Sequence, residues 1–299
     1  MNLSETRKGE IFVLTTSLLS GLFPVIALLS FKSLEPILSL AWSTMFASIF
    51  FAVLLTVNKK WHEFLRKDII PDLLAVVLII GIINYGLFYT GIKLTSPGNV
   101  SIIGLTEIFF SFLLFNVWKK ESISGSQIAG IAFVALGALI VILPEKGISF
   151  NPGDLMILAV NFIAPIGNYF QRRARKKVSS LNIMFARSII TFPIMFILAR
   201  ALSYNISFGE AKEAFWFLAI TGILILGLSK ILWIEAIHRI SVTKTAALNS
   251  IYPIFTLIFA FLLLNQTPTL RQIIALLPIA FGVYLLTKQA PPTVGFEQV

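Results

Sequence analysis

The chain has 299 residues, of which 57% are hydrophobic and 13% are charged, and its net charge is +10. Soluble domains carry about 25% charged residues, so this composition excludes an ordinary soluble domain and indicates an integral membrane protein. The chain holds no cysteine and two histidines, which excludes disulfides, thiolate metal sites and cysteine nucleophiles and argues against a histidine metal cluster.

Ten apolar runs, separated by charged segments, predict ten membrane-spanning helices, because one span needs about 20 apolar residues. The first run is too long for a signal-peptide core and lacks a small-residue cleavage site, so we expect it to be retained. The predicted fold is therefore an all-α integral membrane protein. In chain order the predicted helices are 10–31, 36–57, 72–92, 98–118, 125–143, 154–172, 180–200, 213–237, 244–264 and 271–287.

The distribution of Lys and Arg predicts the orientation of these helices. The N-terminal tail, every second connecting segment and the C-terminal tail carry sixteen of the 24 basic residues, and the alternate segments carry six. Cytoplasmic loops hold the excess of basic residues, which predicts that both termini are cytoplasmic. This pattern also absorbs most of the positive charge, and the basic residues form no single footprint for nucleic acid.

An internal repeat relates the two halves of the chain. A shift of 145 residues places Gln127 on Gln272 and Gly137 on Gly282, and one ungapped shift superposes four predicted helices. This divides the chain into two five-helix repeats, 10–143 and 154–287, with cytoplasmic tails 1–9 and 288–299. Because five is odd, the second repeat is inverted in the membrane. Such repeats are typical of secondary transporters, whose substrate site lies near the midplane at the repeat interface.

The chain resembles the ten-helix EamA type of the drug/metabolite transporter superfamily. The resemblance covers nearly the whole chain and rests on the segment between the fourth and fifth helices, where an acid is followed by a glutamine and two glycines. The second copy has Gln266 for the acid and Ala275 for the first glycine. Arg187 matches an arginine that these proteins often carry in the seventh helix. The matching residues are Glu121, Gln127, Gly130 and Gly137, and in the second copy Gln272 and Gly282.

Three ionisable residues lie well inside predicted helices: Glu107, Arg187 and Lys230. Each costs about 2.5–3.5 kcal/mol at the centre of a span on insertion scales, so such residues indicate function by default. Under the shift Glu107 matches Tyr252, and Lys230 matches Tyr85, which predicts a cluster of four around the pseudo-twofold axis. The competing interpretation is a buried ion pair that only fixes packing. Arg187 could snorkel outward. It is predicted to be either a structural tether or a gate or substrate contact.

Polar and aromatic residues at neighbouring positions extend this candidate site. In the ninth helix Asn249 and Tyr252 share one face with two threonines. Small and polar residues on one face also suit helix packing in lipid, which is the competing interpretation. The residues predicted to bind substrate are Glu107, Lys230, Tyr85, Tyr252, Asn249, Trp233, Phe88, Asn84 and Asn168.

The predicted function is that of a secondary transporter for a small amphipathic metabolite, an amino acid or a relative, moved outward across the cytoplasmic (inner) membrane by alternating access. A carboxylate and an ammonium would match a zwitterion, and Glu107 could instead carry a proton. The resemblance also leaves a drug, a nucleotide-sugar or a quaternary amine as the substrate. A membrane scaffold or a membrane enzyme is the rival class, although no nucleophile with a base in reach is evident. No cofactor or metal is expected. The expected partners are a small-molecule substrate, the lipid bilayer and, where Glu107 carries one, a proton, with no nucleic acid, and the expected state is a monomer or homodimer.

Overall fold

The computed structural model describes residues 4–65, 67–119, 125–143, 150–240, 245 and 248–288. Ten apolar helical stretches, α1 to α10, account for nearly all of this part of the chain, which confirms the all-α membrane fold. Eight of them are long and apolar enough to cross a membrane, and the last two are shorter apolar helices. Their bounds are α1 Glu5–Ser30, α2 Pro36–Val57, α3 Ile70–Leu94, α4 Pro97–Gly104 continued by Thr106–Lys119, α5 Gly125–Ile142, α6 Pro152–Arg175, α7 Ser180–Ala201, α8 Phe215–Ala219 continued by Ile220–Leu228 and Ser229–Arg239, α9 Tyr252–Leu264 and α10 Leu270–Lys288.

Helix ends differ from the predicted bounds where capping decides them. α1 begins at Glu5, five residues early, because the Ser4 hydroxyl accepts a hydrogen bond from the Arg7 amide at 3.4 Å. A side-chain cap of this kind satisfies an amide that the first helical turn leaves unpaired. At α6 the Asn151 side chain accepts from the Gly153 amide at 2.7 Å. Residues 5–9, which were predicted to lie in the N-terminal tail, therefore belong to α1, and residues 1–3 and 289–299 of the two tails lie outside the described part.

The pattern of contacts between helices stays the same when the two halves of the chain are exchanged. α2 packs on α7 and α5 packs on α10, and each of these pairs maps onto itself when α1–α5 are exchanged with α6–α10. The contacts of α1 with α8 and α9 have their counterparts in the contacts of α6 with α3 and α4. This is the contact pattern of two repeats related by a twofold axis. The repeat boundaries 10–143 and 154–287 as structural units stay a prediction.

The glycines of the resemblance bring α5 and α10 together. A Cβ on Gly130 would lie 2.9 Å from the Gly282 carbonyl oxygen, and one on Gly282 would lie 2.7 Å from the Gly130 carbonyl oxygen. Gly137 lies against the Ala275 carbonyl and Ile279 in the same way. Small residues allow helix backbones to approach closely in lipid. These glycines therefore serve packing between the two halves, while Glu121 of the same motif lies outside the described residues.

Two helices contain wide π-helical turns at matched positions. One covers Val77–Asn84 in α3 and the other covers Ile220–Leu228 in α8, and the shift of 145 places the two segments on each other within two residues. π-helical turns inside α-helices occur frequently at functional sites. Tyr85 begins the regular helix after the first segment, and Lys230 is the second residue after the other.

Candidate functional site

Glu107 lies at an interruption of α4. The first segment of α4 ends at Gly104, a single tight turn follows in which the Leu105 amide donates to the Ile102 carbonyl at 3.2 Å, and the helix resumes at Thr106. The Thr106 hydroxyl donates to the Ile103 carbonyl at 2.6 Å, so a side chain satisfies one carbonyl at the interruption. Glu107 therefore stands in the first turn of the second segment. Interrupted helices of this kind line substrate sites in transporters.

The matched position in α9 is interrupted as well. A turn at Ser250 and Ile251 precedes Tyr252–Leu264, so the helix predicted over 244–264 is not continuous. Pro253 stands in the first turn of this segment and not in mid-helix. In the first turn the backbone amide has no partner within the helix, so the amide that proline lacks costs nothing. The Tyr252 hydroxyl donates to the Ser101 carbonyl at 2.8 Å and lies directly against Gly104, where any Cβ would overlap it. The interruption of α4 and the turn before α9 are therefore in direct contact through the Tyr252 side chain.

Among the described residues, the Glu107 carboxylate has one hydrogen-bond donor and one nearby cation. The Asn168 amide, on α6, donates to it at 2.9 Å. The Lys230 ammonium on α8 lies within electrostatic range of the carboxylate, but the two form no direct ion pair within 4.0 Å. In the part of the chain that the structure describes, Lys230 has no hydrogen-bond partner. Both charged groups therefore retain capacity for a further ligand.

Tyr85 lies against a different cation. Its ring lies under the Arg187 guanidinium, with 5.2 Å from Cζ to the ring centroid. The structure thus brings Glu107, Lys230 and Tyr252 together and places the fourth member of the predicted cluster against another cation. Arg187 is 4% exposed, so the expectation that it could snorkel to the surface is wrong.

The predicted asparagines connect helices. The Asn84 amide, 5% exposed, donates to the Val160 carbonyl at 2.7 Å and links α3 to α6. The Asn249 carbonyl, just before the turn that precedes α9, accepts from the Ser17 hydroxyl of α1 at 3.0 Å. These bonds occupy one group of each side chain in packing. A direct contact of Asn84 or Asn249 with substrate stays a prediction.

The two predicted aromatic walls differ in their surroundings. The Phe88 ring packs on Phe23 of α1, with centroids 5.0 Å apart, and also contacts Tyr89. Trp233 on α8 is partly buried, one turn beyond Lys230. Phe88 is therefore part of the hydrophobic core between α1 and α3, and the role of both rings as walls of a substrate cavity stays a prediction.

A second polar group, which the sequence did not predict, lies at the end of the bundle where α4, α6 and α10 begin. Asp154, 3% exposed, accepts from the Thr95 hydroxyl and from the Asn99 amide at 3.2 Å, and the Asn99 carbonyl accepts from Gln272 at 2.8 Å. Asp154, Asn99 and Gln272 border a cavity of about 690 Å³. Gln272 also forms a reciprocal cap with Thr269. The Thr-x-x-Gln spacing of a capping box was the available signal.

The fold and this site define a class: a helical membrane protein with two matched interrupted helices and uncompensated charge inside its spans, which is the architecture of a membrane transporter. The particular family follows from comparison with known proteins. The family model of the EamA-like transporter family matches residues 7–143 and again 151–288. The chain belongs to this family, as its motifs predicted.

Relatives of the chain are transporters by name. It is 25% identical over 235 residues to "Uncharacterized transporter YyaM" of Bacillus subtilis (strain 168), which covers 76% of each chain. It is 24% identical over 296 residues to an "Uncharacterized transporter" of Methanothermobacter thermautotrophicus, covering 93% of this chain and 85% of that protein. A solved crystal structure shares the fold at a TM-score of 0.68 and 15% identity, covering 94% and 96% of the two chains.

Proposed function

We propose that this membrane transporter is a secondary transporter that moves a small amphipathic metabolite, an amino acid or a related compound, outward across the cytoplasmic membrane by alternating access. The observation that carries the proposal is Glu107, a carboxylate inside the membrane span that is held by Asn168 and not neutralised by a direct ion pair. Efflux is proposed from the resemblance, since members of the superfamily often export such compounds.

The first argument for a role in transport is the free-energy cost of an ionisable residue inside a membrane span. An ionisable residue in a span costs about 2.5–3.5 kcal/mol on insertion scales and is kept where it serves a pathway or a site. A direct Glu107–Lys230 bond would have explained both charges as a packing device. In the described structure the groups interact only at longer range, so each can also contact a substrate group of opposite charge.

The second argument is chemical complementarity. Glu107 accepts hydrogen bonds and attracts a positive group, and Lys230 donates and attracts a negative one. The partly buried Trp233, one helical turn beyond Lys230, offers apolar surface. This set matches a zwitterion with an apolar side chain. A proton on Glu107 is the competing use of the same carboxylate.

The third argument concerns movement. Alternating access in inverted repeats is a rocking of one unit against the other around a fixed site. The interruptions at Leu105 and at Ser250–Ile251, and the two π-helical segments, occur at matched positions in the halves. Such turns absorb backbone changes more easily than a regular helix. The group around Glu107 lies between these elements.

The test is counterflow in proteoliposomes with radiolabelled amino acids, comparing wild type, Glu107→Gln and Glu35→Gln. Glu35 is a surface carboxylate paired with Lys93 at 2.6 Å and serves as the matched control. We expect Glu107→Gln to lose at least about 90% of exchange, by removal of one charge-assisted contact of about 1.5–3 kcal/mol, and Glu35→Gln to retain it. Normal exchange by Glu107→Gln at every pH tested, together with normal accumulation of substrate in a pH gradient, would refute the role of Glu107 in the proposal.

A pH gradient across the same vesicles separates the two uses of Glu107. If the carboxylate carries a proton, the gradient drives accumulation in wild type, and Glu107→Gln still exchanges substrate but no longer accumulates it. If the carboxylate binds the substrate ammonium, Glu107→Gln loses exchange itself, with or without a gradient.

A further inference from the structure

The cavity of about 690 Å³ at the end of the bundle where α4, α6 and α10 begin is separate from the group around Glu107. Of the described residues that border it, none belongs to that group, and both halves of the chain contribute to the border. The cavity reaches the surface, because Asn151 and Gln266 on its border are exposed. Pockets for small molecules have volumes of about 300–1,000 Å³, so this one is large enough for a metabolite.

A buried carboxylate, Asp154, borders this cavity. It is 3% exposed and accepts hydrogen bonds from two neutral groups, the Thr95 hydroxyl and the Asn99 amide. Among the described residues, no Lys or Arg nitrogen lies within 4.0 Å of it. A carboxylate can accept about four hydrogen bonds, and Oδ2 of Asp154 accepts one, from Asn99 at 3.2 Å. The first turn of α6 also suits an acid, which accounts for the charge but not for the open polar cavity beside it.

An arginine and apolar side chains border the same cavity. Arg271, at the start of α10, is partly exposed, and its Nη1 atom donates to the Leu143 carbonyl at 2.6 Å. A guanidinium attracts a carboxylate and can bind it with two parallel hydrogen bonds. Val141 and Ala260, both buried, add apolar surface to the border. The cavity therefore combines an acid, a base and an apolar part, as a binding site for a zwitterion with an apolar side chain requires.

One short helix segment connects the cavity to the group around Glu107. Gly98 and Asn99, near the start of α4, border the cavity, and this first segment of α4 ends at Gly104, directly before the interruption. Asn99 and Glu107 are eight positions apart, which corresponds to about 12 Å along a helix. The cavity and the candidate site near the interruption are thus placed along one element.

We propose that this cavity is a second binding site for the zwitterionic substrate, with the ammonium group at Asp154 and the carboxylate at Arg271. With both termini in the cytoplasm, as the basic residues predict, the cavity faces outward. A substrate that leaves Glu107 and Lys230 in the outward direction then binds here before its release. The identity of the ligand and the order of binding rest on the proposed function. An alkali cation at Asp154 shares the positive charge and is the alternative ligand.

The experiment measures protection of a single thiol in the full chain in detergent. The chain has no cysteine, so Thr267→Cys, at an exposed position on the border of the cavity, introduces the only reactive thiol. The rate of its reaction with a fluorescent maleimide is measured with and without L-leucine. We expect L-leucine to slow the labelling of Thr267→Cys and to leave Asn205→Cys, at an exposed loop position away from the border, unaffected. Equal rates with and without L-leucine at Thr267→Cys would overturn the proposal.

Two substitutions added to Thr267→Cys separate the cavity from the group around Glu107. Asp154→Asn keeps the shape of the side chain and removes its charge, so it should raise the L-leucine concentration for half-maximal protection at least about tenfold. Glu107→Gln should leave that concentration unchanged. Loss of protection in Glu107→Gln would show that L-leucine acts from the other group and would overturn the site, as would unchanged protection in Asp154→Asn.

Arg271→Gln provides a variant that leaves the buried carboxylate in place. It should weaken protection by L-leucine about twofold to fivefold, as loss of a partly exposed charge pair does. Protection by isoamylamine, which is L-leucine without its carboxylate, should not change. Equal weakening for both ligands would overturn the assignment of the carboxylate to Arg271.

Sodium chloride distinguishes the two sources of positive charge. Protection by sodium chloride alone, as strong as protection by L-leucine at the same concentration, would identify an alkali cation as the ligand and overturn the assignment to an ammonium group. The labelling experiments do not require transport. Failure of the proposed function appears as unaltered counterflow and accumulation in Glu107→Gln, whereas failure of this site appears in the labelling rates.

Discussion

The Asn168 amide on α6 donates a 2.9 Å hydrogen bond to the Glu107 carboxylate, just after the interruption of α4. The two residues are 61 positions apart in sequence and come from different halves of the chain. A hydrogen bond to an ionised group is worth about 1.5–3 kcal/mol. It therefore orients the carboxylate at the junction where the halves meet.

Asn168→Leu tests this orientation while keeping the side chain's approximate volume. We expect substrate affinity in counterflow to fall about tenfold to a hundredfold, because the carboxylate loses its only hydrogen-bond donor in the described structure. Asn205→Leu, at an exposed loop position, is the control and should leave the affinity unchanged. Wild-type affinity in Asn168→Leu would show that the bond has no part in binding.

Gly104 and Tyr252 should be energetically coupled. A Cβ at Gly104 would overlap the Tyr252 hydroxyl but would lie 3.4 Å from the ring carbon Cζ, an ordinary contact. Gly104→Ala alone should therefore destabilise the protein, and Tyr252→Phe should relieve much of the loss. A double-mutant cycle on unfolding free energies should give a coupling of about 0.5–3 kcal/mol. Strict additivity would contradict the contact.

The α5–α10 contact predicts opposite effects for two glycine substitutions. Gly282→Ala puts a methyl group 2.7 Å from the Gly130 carbonyl oxygen and should cost about 1–3 kcal/mol, as overpacking does. Gly86→Ala has nothing within 4 Å and should stabilise α3 by about 0.5–1 kcal/mol through helix propensity. Unfolding in mild detergent measures both. Equal effects of the two changes would argue against the close helix contact.

Glu63 should make stability depend on acid pH. Burial opposes its ionisation, but the Ser179 amide, the Asn182 side chain and Lys60 outweigh burial and lower the pKa of Glu63 below 4.5. Because the folded pKa is below the unfolded value, the stabilisation is present above about pH 4.5 and is lost as the pH falls through the folded pKa.

The measurement is the unfolding midpoint of wild type and Glu63→Gln between pH 7 and pH 3. The difference between the two should be largest near neutral pH and shrink toward pH 3. Glu213→Gln, at an exposed carboxylate of a short surface helix, should follow wild type throughout. A constant difference between Glu63→Gln and wild type across the range would exclude ionisation as the cause.

The sequence allowed us to predict, with few errors, where the helices lie and which ionisable residues lie inside them. Apolar length defines a span locally, so the differences in bounds arise at caps such as Ser4 and at the interruption before Tyr252, where one or two side chains decide. The repeat predicted that Glu107 and Tyr252 occupy equivalent places. It did not predict that the Tyr85 ring lies under Arg187, which depends on how α3 packs against α7.

The sequence by itself determined that this chain is a membrane protein of two related halves with Glu107, Arg187 and Lys230 inside its spans. Composition, span length and the cost of a buried charge are properties of single segments, and they can be read without knowing neighbours. Only the tertiary structure decided which groups meet. The rotation and depth of each packed helix select Asn168 for Glu107 and place Arg187 over Tyr85, because contacts between distant segments depend on packing and not on spacing along the chain.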